Sequence, residues 1–109
     1  MCLIDSQLNK QKIAEAIIRE RHNYEFIKHG WSDEKNGRCV VALLFSTLGW
    51  NAGKYSVPIM DYGDKLYEEY GMTSTDIWDM CDCNDNVWSS FADAVVDLGY
   101  GDLILRQVG

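Results

Sequence analysis

The stretch NKQKIAEAIIRERHNYEF, residues 9–26, sets Ile13, Ile17 and Tyr24 on one stripe, with Ala14, Ile18 and Arg21 beside it. Apolar residues recurring at that spacing, with charges opposite, predict an amphipathic helix. Gly30 in HGW stands where such a helix stops. Ser32 and Asn36-Gly37 in SDEKNG supply the chemistry of a surface turn. RCVVALLFSTLGW follows, with Val40, Leu43, Leu44 and Thr47 on one face and Val41, Ala42 and Phe45 on the other. A helix that is apolar all round is a buried one, so the run from Cys39 to Leu48 is expected to be the central helix, closed by Gly49.

Residues 51–60 read as a loop, with an extended piece at Tyr55 to Val57 ahead of Pro58. Ile59, Tyr62, Leu66 and Tyr70 then form a helical stripe that Gly71 ends. Thr73 to Thr75 open a further helix with capping residues, and Ile77, Trp78 and Cys81 fall together on it. The segment Met80 to Asp85, MCDCND, reads as a turn, with Asn84, Asp85 and Asn86 as N-cap candidates for the next helix. That helix carries Val87, Trp88, Phe91, Val95 and Leu98 on one face. The tail GDLILRQVG packs as a strap or adds a strand. The expectation is one domain over residues 1–109: mainly α, a bundle of about five helices around a buried central one, with room for one short strand pair.

Composition supports a real core. The chain is 47% hydrophobic, with four Trp, six Tyr and three Phe, enough burial to offset the entropy of ordering. Charge changes the picture more. The net charge is −7, and residues 1–40 carry +1 while residues 41–109 carry −8. An acidic half of this kind argues against direct binding to nucleic acid or anionic membranes, which needs clustered cations. It suits a protein partner with a basic surface. Asp76, Asp79, Asp93 and Asp97 are the residues expected to form such an acidic binding face, because they recur at helical spacing. The opening MCLIDSQLNK lacks the features of a secretory signal, and the longest apolar run is too short to cross a bilayer. A cytoplasmic protein, of the source cell or of a phage host, is expected, with its four cysteines reduced and no cofactor. The aromatic surface leaves a homodimer open.

Two constellations carry alternative chemistry. Cys39 opens a hydrophobic helix directly after Arg38, and both the helix N-terminus and that cation favour a thiolate. With His29 as base (His22 being the other histidine), it would be the nucleophile of a thiol hydrolase. The second constellation is metal binding. Cys81 and Cys83 form a C-x-C pair, a poor match to structural zinc spacing. Asp82, Asn84, Asn86, Ser90 and Asp93 fall at the oxygen-bearing positions of a calcium loop, although Val87 stands where that loop needs glycine.

The order Gly30-Trp31, Gly37-x-Cys39, Ala42-Leu43 and then Asn84-Asp85 resembles a family of small uncharacterised proteins from bacteria and phages. In that family a Gly-Trp, a Gly-x-Cys followed by Ala-Leu, and a Trp-Asn-Asp segment recur across one helical domain. The resemblance spans about residues 10–100, and departs from the pattern at Cys83, where the family has Trp. It implies an all-helical cytosolic domain of unassigned activity, and its phage members imply a host-interaction role. The favoured expectation is therefore a small acidic, non-enzymatic binding protein, phage-encoded, that modulates or inhibits a host protein through a basic surface.

Overall fold

The computed structural model describes residues 8–31, 36–50 and 58–106, with the side chains of residues 58–61 and 106 outside that description. The chain is mainly helical. Helix α1 (Lys10–Glu20) runs into a 3-10 turn (Arg21–Asn23) and a two-residue strand β1 (Glu25–Phe26). Strand β2 (Gly37–Arg38) leads into α2 (Val40–Thr47), followed by α3 (Pro58–Tyr70), α4 (Ser74–Asn86), α5 (Phe91–Asp97) and α6 (Asp102–Arg106).

Helix α2 is the centre, as its pattern predicts. Val40 to Phe45 are all fully buried, and the helix packs against α1, α3 and α4. Helix α1 buries Ile13, Ala14, Ala16, Ile17 and Ile18 and also meets α5 and α6. It ends earlier than the stripe to Tyr24 suggests, and Gly30 is not its stop. Residues 19–23 are all polar, so no apolar face remains there to stabilise another helical turn by burial. Gly49 and Gly71 do close α2 and α3, at φ of 106° and 70°. Such left-handed backbone is cheap only for glycine.

The strand pair is parallel, with Glu25 opposite Gly37 and Phe26 opposite Arg38. Its bonds run from Glu25 N–H to the Asn36 carbonyl and from Ile27 N–H to the Arg38 carbonyl. The extended piece expected at Tyr55 to Val57 lies outside the described residues. The tail forms α6 rather than a strand up to Arg106.

The largest correction concerns MCDCND. It is not a turn but the last part of α4, which continues to Asn86. Asp76, Ile77, Met80, Cys83 and Asn84 are buried in the 3.6-residue rhythm of one helix face, so the polar letters continue the stripe rather than break it. The cap of α5 is Ser90, whose hydroxyl accepts from Asp93 N–H, while Ser89 N–H donates to the Asp93 carboxylate. Thr73 caps α4 reciprocally: its hydroxyl accepts from Asp76 N–H, and the Asp76 carboxylate accepts from Thr73 N–H.

Candidate functional site: a two-thiol pocket at the start of the central helix

A buried helix start has several N–H groups to satisfy, and those of α2 are met by side chains. Val40 N–H donates to Asn84 Oδ1 at 2.9 Å, and Ala42 N–H donates to Cys39 Sγ at 3.3 Å. Cys39 is thus the N-cap of α2, and its sulfur sits at the positive end of the helix. Asn84 is fully buried, and its Nδ2 donates to the Ile27 carbonyl at 2.9 Å. One side chain therefore joins α4, the start of α2 and the segment after β1.

The loop that follows β1 closes over this junction. His29 N–H donates to Asp85 Oδ1 at 2.7 Å, and the ring Nδ1 lies 3.7 Å from Oδ2. His29 itself is left-handed, at φ 63°. Cys39 N–H donates to the Trp31 carbonyl at 3.4 Å, which draws Trp31 against the core. The Trp31 ring meets Phe45 edge-on at 5.7 Å and lies 6.2 Å from the Trp78 ring. Between these elements is a cavity of about 190 Å³ lined by Gly30, Trp31, Cys39, Trp78, Cys81 and Asp85. Trp78 is 57% exposed.

The two thiols that line this cavity are free. Hydrogen bonding from the Cys81 thiol is the main reason the Cys39 thiol is held below its ordinary value. Burial opposes it, the Ala42 and Val41 N–H groups reinforce it, and the Asp85 carboxylate pushes the other way. Cys81 moves in the opposite direction, well above the ordinary range, through the same hydrogen bond, then burial, then the charges of Cys39 and Asp85.

The influence of Cys81 predicts an effect of Cys81→Ala. With the S–H donor gone, the largest influence that lowers the Cys39 thiol is lost, so it should ionise at higher pH. The midpoint of the alkylation rate of Cys39 against pH is expected to rise relative to the parent. An unchanged or lower midpoint would show that Cys81 does not hold the thiolate.

The residues singled out from sequence fall in different places. Arg38 does not assist Cys39. It is buried with its guanidinium 4.8 Å from the Tyr24 ring centroid and 5.7 Å from that of Trp50, while Nε donates to Ser46 Oγ and Nη1 to the Gly37 carbonyl. Cys39 Sγ accepts from Ala42 N–H, whereas His29 pairs with Asp85 and is largely exposed. Cys83 is disulfide-bonded, which corrects the expectation of four reduced thiols, and its partner lies outside the described residues. Cys81 and Cys83 therefore do not act as a C-x-C pair.

The calcium positions do not converge either. Asp82, Asn84 and Asn86 are helical; Asn86 Nδ2 bonds back to Asp82, and Ser90 and Asp93 serve the cap of α5. Among the described residues no group of three or more His, Cys, Asp or Glu side chains is placed to hold a metal ion. Of the acidic set, Asp76 is only 4% exposed and is consumed by the α4 cap, and Asp97 accepts from Trp88 Nε1 at 2.7 Å. Asp79 and Asp93 are at the surface.

Sequence reasoning missed Trp78, Cys81 and Asp85 as parts of one site. Their spacing of three and four along one helix was a usable signal, obscured by the expected turn. Gly30, Trp31, Cys39 and Asp85 line the cavity, and Asn84 accepts from Val40 N–H beside it. No family model, no curated protein and no solved structure matches the chain. Among the described residues, no helix is long and apolar enough to cross a membrane.

Proposed function

We propose that the chain is a small acidic binding protein, of phage origin and acting in the cytoplasm of its host, that engages a basic surface of a partner protein. Its recognition site is the cavity at the start of α2, which receives a lysine or arginine side chain of that partner. The observation that carries this reading is the joint placement of two tryptophans and a carboxylate on one small cavity. Indole faces attract cations through their quadrupole, most strongly where water is excluded. Asp85 Oδ1 accepts from the His29 N–H and from Asn84 Nδ2, while Oδ2 lies 3.7 Å from the His29 ring. The net charge of −7 adds attraction of the same sign.

The acidic face expected from sequence supports this less directly, because Asp76 and Asp97 are engaged in holding the fold. The test therefore uses Trp78, whose exposure lets it be removed without opening the core. The tagged protein captures its partner from host lysate after nuclease treatment, and the partner is then titrated against parent and Trp78→Ala. Loss of a cation–π anchor at an interface centre is expected to weaken binding by roughly tenfold or more. Equal affinity of the two proteins, or a bait that captures no protein, would overturn the reading.

A further inference from the structure

We infer that Cys39 and Cys81 are a redox-active pair that carries out thiol–disulfide exchange on a small disulfide entering the Trp31–Trp78 cavity. The inference stands apart from the binding role, because it needs only the two sulfurs and access to them. Both thiols are free and both line the same cavity, although one opens α2 and the other lies in α4. Cys39 is only 3% exposed overall, so a reagent reaches it through the cavity and not across the general surface. The tryptophan walls favour flat or apolar groups on the incoming disulfide.

The environment assigns the order of attack. The attacking thiol must be a thiolate, and Cys39 is the one stabilised in that form by the helix start and by Cys81. Its sulfur forms a bond to one sulfur of the substrate R–S–S–R, the substrate bond breaks, and RS⁻ leaves and takes a proton from water. Cys39 then carries no charge. The two influences of Cys39 that hold the proton on Cys81, its hydrogen bond and its charge, disappear at that moment. Cys81 can now give its proton to solvent and attack Cys39 Sγ, expelling the second RS⁻, which is protonated in turn. The substrate disulfide is reduced by two electrons to two thiols, and the chain is oxidised to a Cys39–Cys81 disulfide. A thiol reductant of the glutathione class returns the pair to the dithiol. Cys83 takes no part, since it is already disulfide-bonded and buried.

The test uses the native full chain and a neutral aromatic disulfide, 2,2′-dithiodipyridine, whose released thione is read by absorbance. In the parent both halves of the reagent should be released. The chain should lose two hydrogens in mass and keep no adduct, and peptide mapping should find Cys39 linked to Cys81. Cys81→Ser should release one half and retain the thiopyridyl group on Cys39. Cys39→Ser keeps a good N-cap, so the helix survives, and the release rate should fall roughly tenfold or more. Stable adducts on both cysteines of the parent, reaction only after denaturation, or a Cys81→Ser variant that behaves like the parent would each overturn the inference.

Discussion

Replacing Asn84 with alanine is expected to cost about 2–6 kcal/mol of folding stability, a large share of the ~5–15 kcal/mol that holds a domain of this kind. The reasoning is local. Asn84 is fully buried, and its two ends satisfy Val40 N–H and the Ile27 carbonyl. Alanine removes both partners and leaves both backbone groups in an apolar setting, at about 1–3 kcal/mol each. The consequence reaches the site, because Val40 opens α2 next to Cys39. Denaturant unfolding should show a lower midpoint, and alkylation of Cys39 in the folded variant should speed up as the helix start loosens. A loss below about 1 kcal/mol would mean that water replaces both bonds, and that Asn84 does not hold the junction.

The second large effect is expected at Phe45. Its ring is fully buried on α2 and meets Trp31 and Trp50 edge-on, at 5.7 and 6.4 Å between centroids. Phe45→Ala deletes a core ring and leaves a void, costing about 3–5 kcal/mol. It also removes the support behind Trp31, one wall of the cavity. Phe45→Leu keeps most of the apolar volume while losing the ring contacts, worth about 0.5–1.5 kcal/mol for each aromatic pair. The leucine variant should therefore lie between parent and alanine variant in a denaturant titration followed by tryptophan fluorescence. If Phe45→Ala unfolds within about 1 kcal/mol of the parent, the core around α2 rearranges freely and the cavity wall does not depend on it.

Both residues show how unevenly the sequence speaks. Phe45 belongs to an apolar run whose burial was legible because a helix with no polar face has nowhere else to go. By local preference Asn84 belongs at the cap of the following helix, since asparagine favours such positions. In the folded chain it lies inside α4 and caps a different helix, the start of α2, across the core. Local preference cannot reveal a partner brought close only by folding. Cys39 shows both sides at once: its place at the start of the central helix was visible, whereas the thiol facing it from α4 was not.

The helical class, the identity of the buried central helix and the glycine stops after α2 and α3 are all legible in the order of residues. These follow from periodicity and backbone freedom, which are properties of neighbouring residues. The acidic balance of the second half is legible there too. Only the tertiary structure decided that the loop at His29 to Trp31 closes over α2, that Arg38 turns to Tyr24 and Trp50 rather than to Cys39, and that Cys81 rather than Cys83 faces the Cys39 sulfur. Each of these is a pairing between distant segments. It depends on which helix faces meet once the apolar stripes are buried, and no run of adjacent residues encodes that choice.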